Sequence, residues 1–185
     1  MLDEFFEDGE LRNFVELKTS RDDPWIGTPY EGYLNLSTVS KGTFGEKLVS
    51  KIMLKNGSEV VSKKNAGHDR IIDGYKTEIK FSLSEKKNHF TFNHLACHKD
   101  WERAILLGVN HNGYYRMNWI DKKDFIENMN SDVRVFRNQQ GGDESDNDDY
   151  MFSGDYSKLE NVNILQEIND WMKDGPKKTG ILLWM

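Results

Sequence analysis

A chain of 185 residues, 37% hydrophobic and 30% charged, supports one domain with a sizeable core and excludes a wholly disordered polymer. No run reaches the roughly 18 apolar residues of a membrane span, the acidic start Met1–Glu7 lacks the basic region and cleavage site of a signal peptide, and the single cysteine, Cys97, excludes an internal disulfide and a cysteine zinc cluster, which points to an intracellular, cytoplasmic protein without a membrane partner. The net charge of −6 argues against indiscriminate nucleic-acid binding, but it divides into −6 over residues 1–40, +5 over 41–103 and −5 over 104–185, and local charge decides where a polyanion docks.

Residues 1–18 predict a short helix anchored by Phe5, Phe6, Phe14, Val15 and Leu17. Two prolines and two glycines between Pro24 and Gly32 make that stretch a loop, with Trp25, Tyr30 and Tyr33 packing over the core. Phe44, Leu48 and Ile52, joined by Val49, predict a helix over 43–54. Thr43 and Glu46 match a capping box, so Glu46 has two readings, a cap or a carboxylate reaching a neighbouring site. Asn56-Gly57 ends this helix, Glu59–Ser62 is a short strand, and residues 63–67 form a basic connection. Ile79 and Phe81 turn to the core, and Ser82–Asn88 reads as a polar loop. His89–His94 reads as a strand running into a short helix through Lys99. Ala104–Val109 is a central buried strand, and Asn112-Gly113 turns it into a second strand over 114–120. Asp121 caps a helix to about Asn128 with Phe125, Ile126 and Met129 inward, and Val133–Phe136 is a further strand. The acidic stretch 137–149 reads as a loop and lacks the ligand spacing of a calcium-binding hand. Val162, Leu165, Ile168 and Trp171 form one stripe of a helix over 161–174, stopped by Gly175-Pro176, and the apolar end Ile181–Met185 is an added strand or an interface. The whole reads as a single α/β (α+β) domain over 1–185: a core at 43–136 built on a central mixed sheet flanked by helices, the 137–149 loop, and a C-terminal helix and tail at 160–185.

The chemistry concentrates at Gly67–Lys80. Asp73-Gly74 predicts a two-residue hairpin turn, which pairs Ile72 with Tyr75, Ile71 with Lys76, Arg70 with Thr77 and Asp69 with Glu78. Strand alternation puts Lys80 on the face of Glu78. Two carboxylates that close repel unless positive charge lies between them, and a hard divalent cation with oxygen ligands meets that need. Lys80 can orient or deprotonate a water beside the ion. Asp73 is by type a competing ligand, but its place in the turn explains it. His89, His94 and His98 near Cys97 offer a rival zinc site, which matches neither of the common zinc spacings; Asn93 and His94 fit a DNA-facing or rim position better.

The order of acidic helix, hairpin with D…ExK, apolar strand and further helix over about residues 43–120 resembles the PD-(D/E)xK nuclease superfamily, typified by type II restriction endonucleases. Asp69, Glu78 and Lys80 match the two metal carboxylates and the catalytic lysine, and Glu46 matches the helix glutamate; Asp69 has no proline before it and is followed by Arg70. The resemblance implies Mg²⁺ held by Asp69, Glu78 and the Ile79 carbonyl, and hydrolysis of double-stranded DNA by a restriction enzyme. A repair or junction-resolving nuclease of the same fold, or a binding module without catalysis, are the alternatives. Lys63, Lys64, Lys76, Lys86, Lys87, Asn93 and His94 are the expected DNA contacts. A homodimer is expected, since a two-fold pair of subunits matches the symmetry of a palindromic duplex.

Overall fold

Eight consecutive buried residues, Arg103–Asn110 (β5), form the strand on which the other elements are built. The computed structural model describes residues 2–15, 22–65, 67–85, 89–128, 135–137, 149–155 and 165–174. In chain order the elements are α1 (Glu10–Val15), α2 (Thr38–Lys55), β1 (Val60–Asn65), β2 (His68–Ile72), β3 (Tyr75–Ser84), β4 (His89–Ala96), then β5, β6 (Tyr115–Asp121), α3 (Lys122–Asn128), β7 (Val135–Arg137), β8 (Asp149–Asp155), β9 (Gln166–Glu167) and α4 (Ile168–Asp174). Six strands make a mixed sheet in the order β1-β2-β3-β5-β6-β9, in which β3 and β5 run parallel and the other neighbours antiparallel. Parallel neighbours need a crossover. Here it carries β4, which joins β8 and β7 in a separate three-stranded sheet.

Alternation along β5 divides the core in two. Ile105, Leu107 and Val109 face α2 and pack with Phe44, Leu48, Val49, Ile52, Ile79 and Trp119. Ala104 and Leu106 face the other way and pack with Phe90, Phe92, Leu95, Trp101, Ile120 and Phe125. The loop aromatics close the first cluster as expected from sequence: Tyr30 stands edge-on to Phe6 at 5.3 Å, and Tyr33 lies 5.2 Å from Phe44. Lys47, Lys51 and Lys55 of α2 pair with Glu10, Asp8 and Glu4, so part of the positive charge of the middle segment is matched by the acidic N-terminal one. At the opposite end of the same face the Arg103 guanidinium lies among Tyr75 (3.6 Å), Trp119 (4.3 Å) and Trp171 (4.9 Å), with Asp121 3.9 Å from its Nε.

Several sequence expectations are corrected. Helix α2 begins five residues before the expected start. Ser37 is its cap, accepting from the Ser40 N–H at 3.2 Å, while Thr43 Oγ1 donates to the Val39 carbonyl one turn earlier; the Thr43–Glu46 capping box is not formed. Residues 89–96 are strand throughout and end in a turn, not a helix, because Phe90, Phe92 and Leu95 are claimed by the second core. β3 continues through Ser84 and β1 through Asn65, longer than the polar composition suggested. The second hairpin is closed by the Gly113 N–H donating to Asn110 O, with positive φ at Gly113 alone, so it is not the two-residue type. Ile126 is exposed. The last helix starts at Ile168, after the short strand β9, and strand β8 had no counterpart in the reading. Residues 138–148, 161–164 and 175–185, with the loop, helix start, stop signal and tail assigned to them, lie outside the described residues, as do Met129, Val133 and Arg134.

Two glycines set the layer spacing. A Cβ on Gly45 of α2 would lie 2.5 Å from Phe81 Cβ, and one on Gly108 of β5 would lie 2.4 Å from Phe90 Cγ. The first lets α2 lie directly on β3; the second lets the Phe90 ring rest on the β5 backbone. Phe90 is fully buried and has nowhere to recede, so Gly108→Ala is expected to cost about 1–3 kcal/mol by denaturant unfolding. Gly42, inside the same helix as Gly45 with nothing within 4 Å of a Cβ, is the contrast: Gly42→Ala is expected to stabilise by up to about 1 kcal/mol through helix propensity.

Candidate active site

The hairpin turns as its sequence requires. Asp73 and Gly74 both have positive φ (51° and 87°), and the ladder pairs Ile72 with Tyr75, Ile71 with Lys76 and Arg70 with Thr77. The turn aspartate is fully engaged as a brace: Oδ1 accepts from the Glu59 N–H at 2.8 Å and Oδ2 from Trp171 Nε1 at 3.0 Å.

Beyond Arg70–Thr77 the ladder stops and the two strands part. The Ile79 N–H, which the next rung would have engaged, donates instead to Asp69 Oδ2 at 2.7 Å. The N–H and C=O of one strand residue leave on the same side, so the Ile79 carbonyl also faces this gap. Its side chain is buried on the α2 face. Glu78 and Lys80 lie on the opposite face, in register with Ala104 and Leu106 of β5. The Glu78 side chain is only 3% exposed, and Lys80 Nζ donates to its Oε1 at 2.6 Å. Lys99 Nζ stands 4.0 Å from the same oxygen.

Burial, and then the negative charge of Glu78, push the Asp69 carboxyl up to about 6; the Ile79 N–H pulls the other way, Glu46 adds to the rise and Lys80 opposes it. The two carboxylates thus share one electrostatic environment, as the sequence predicted from their expected pairing. Glu46 reaches this environment through an intermediary. Arg70 Nη1 donates to Glu46 Oε2 and to the Asp69 carbonyl, both at 2.7 Å. Arg70 follows Asp69 in β2 and therefore points to the α2 face, where Gly45 has brought the helix close. The sequence reading passed over Arg70, although alternation along β2 and a glutamate on the facing helix carried the signal. It also passed over Lys99, for which no local pattern exists, because the contact depends on how the β4–β5 turn folds back.

The expected DNA contacts fare differently. Lys76 Nζ is 2.7 Å from Asp100 Oδ2. Asn93 and His94 are exposed where β4 bulges between Phe92 and Leu95, and His94 adopts positive φ (59°). Bulges of this kind re-aim side chains. Lys86 and Lys87, and the side chains of Lys63 and Lys64, lie outside the described residues.

Among the described residues no three His, Cys, Asp or Glu side chains come together as a metal cage. Two repelling carboxylates and a carbonyl, Asp69, Glu78 and Ile79, are nevertheless a donor set that fits Mg²⁺, which keeps several waters and takes one or two carboxylates.

No family model and no curated protein matches this chain. Among solved structures it is similar to the bacterial homing endonuclease I-Ssp6803I, over 64% of this chain and 75% of that one, with a TM-score of 0.39 and 17% identity.

The raised Asp69 has a consequence for stability. Its ordinary value is 3.8 and its folded value about 6. Between the two, the folded protein keeps a proton that the unfolded chain has released, so stability falls as pH rises through this window and stays lower above it. Asp69→Asn keeps an acceptor for the Ile79 N–H and removes the charge. In chelator, thermal unfolding is expected to show a melting temperature a few degrees above wild type at pH 8 and convergence with it near pH 4. Equal melting at both pH values is the result that excludes the account.

Proposed function

We propose that this chain is a Mg²⁺-dependent endonuclease that hydrolyses phosphodiester bonds of double-stranded DNA, and specifically a sequence-specific restriction enzyme. The observation that carries the reading is the shared environment of Asp69 and Glu78, two mutually repelling carboxylates with Lys80 against one of them. A purely structural patch would be expected to match its charges; this one holds excess negative charge beside a strand gap. Bound between Asp69, Glu78 and the Ile79 carbonyl, Mg²⁺ supplies positive charge opposite the developing phosphoryl charge and makes water more acidic.

The side chains have separable tasks. Asp69, fixed by the Ile79 N–H, presents its other oxygen to the gap. Glu78, buried and tied to Lys80, keeps a fixed orientation. Lys80 Nζ holds the attacking water and favours its hydroxide form by donating to it. Arg70 keeps Glu46 on the helix side of the hairpin, so Glu46 acts on Asp69 by charge and not by contact. Duplex DNA is the substrate proposed because the middle of the chain is its basic part, with Lys63, Lys64, Lys86 and Lys87 available to phosphates and Asn93 and His94 to base edges. A homodimer remains the proposed assembly on the symmetry of the duplex; Trp171, on the stripe that had suggested an interface, is fully buried within the chain.

Incubation with plasmid and phage DNA tests the reading. Discrete fragments are expected with Mg²⁺, binding without cleavage with Ca²⁺, and no cleavage in chelator or with Lys80→Ala, whose melting temperature should stay near wild type. Smearing identifies a nonspecific nuclease, selective cutting of branched DNA the repair class, and cleavage in chelator refutes the metal site. Glu46→Gln is expected to lower the cleavage rate by less than about tenfold, since a charge acting through Arg70 is worth no more than about 1 kcal/mol.

A further inference from the structure

Around the candidate site most of the described cations have their donors engaged. Lys80 donates to Glu78 and Lys76 to Asp100. Arg70 donates to Glu46 and to the Asp69 carbonyl. Lys99 differs. Its Nζ lies 4.0 Å from Glu78 Oε1, beyond hydrogen-bond reach, because the nearer Lys80 already holds that oxygen. Among the described residues Lys99 Nζ makes no hydrogen bond, and its side chain is 36% exposed.

The turn that carries it is braced on three sides. The Lys99 N–H donates to the Ala96 carbonyl at 3.2 Å, an oxygen that also accepts from Trp101 Nε1 at 2.8 Å. The Lys99 carbonyl accepts from Lys122 Nζ at 2.6 Å. The next residue, Asp100, lies against Gly67, where a Cβ would meet Asp100 Cβ at 2.9 Å, and is paired with Lys76. The residue flanking Asp69 on one strand and the residue flanking Lys99 on the turn are therefore in direct contact. A lysine on so constrained a backbone, with its charge beside a buried carboxylate and its donors turned to no protein acceptor, is suited to an anionic oxygen brought by a ligand.

We propose that Lys99 contacts a nonbridging oxygen of the phosphate at the site, as a second cation distinct from Lys80. The proposal rests on the endonuclease reading and deepens it: Lys80 serves the water and Lys99 the phosphate. Surface lysines that bind DNA from afar change affinity only, whereas a cation at the reacting phosphate changes both affinity and rate.

The test uses the full chain and a fluorescent duplex that carries sites cut by the wild type, or any duplex if none is cut. Binding is measured in Ca²⁺ across a salt series and single-turnover cleavage in Mg²⁺, for wild type, Lys99→Ala, Lys99→Arg and Lys80→Ala, with melting temperatures for each. Lys99→Ala is expected to lose roughly 100-fold in rate and to reduce the slope of log affinity against log salt by about 0.9, one phosphate contact, with unchanged melting. Lys99→Arg is expected to restore the slope. A cleaving wild type whose Lys99→Ala variant keeps the same rate and slope overturns the role of Lys99 and leaves the endonuclease reading intact. A rate loss with an unchanged slope also overturns it, since Lys99 would then only arrange Glu78. A wild type that binds with a Lys99-dependent slope but cuts no DNA supports the phosphate contact and overturns the endonuclease reading. A wild type that binds no duplex overturns both.

Discussion

A negative charge buried to 3% exposure is costly in a protein interior unless something answers it. Glu78 is that charge, and its surroundings can be read as consequences. Lys80 lies two residues on along the same strand, because only alternation places a cation on the same face. The neighbouring strand cannot continue its ladder past Thr77 without bringing Asp69 closer still, and it parts from β3 at that point. The Asp69 carboxylate then takes the one backbone donor left open by the parting. What results is a gap in the sheet lined by two carboxylates and a carbonyl, the one place on this face where positive charge from outside would relieve repulsion built into the fold.

The layers around that gap are held at short range by absence of side chains. Gly45 and Gly108 leave no room for a methyl group, so α2 and β4 sit closer to the sheet than ordinary packing allows. That closeness gives Arg70 a partner on α2 and gives β4 a rigid base from which its terminal turn bends back toward Glu78. Each of these contacts crosses between elements far apart in sequence, and each depends on backbone spacing more than on hydrophobic area.

This explains which parts could be read from the sequence. The hairpin was legible in full, because Asp73-Gly74 fixes both turn geometry and register within four residues, and register fixed the shared face of Asp69, Glu78 and Lys80. The buried strand β5 was legible from its continuous apolar run. The start of α2 was not: Thr38, Val39 and Ser40 carry no apolar stripe, and the better-looking cap at Thr43 concealed the one at Ser37. The β4 region was misread because Asn93 and His94 break alternation at a bulge, which a linear pattern takes for a change of element. Arg70 as a bridge and Lys99 as a neighbour of Glu78 were invisible, since both depend on the distance between layers.

The brace at the hairpin tip joins residues 98 positions apart, Asp73 and Trp171, and Trp171 also forms one wall of the aromatic box around Arg103. During synthesis, the hairpin that carries both carboxylates emerges from the ribosome long before the helix that clamps it. Until that helix arrives, the Asp73 carboxylate lacks one of its two donors and the Arg103 box stands open on one side. The order of translation therefore separates building the strands of the site from locking them, and a nascent chain carries the complete set of site residues for nearly a hundred residues before it carries the completed brace.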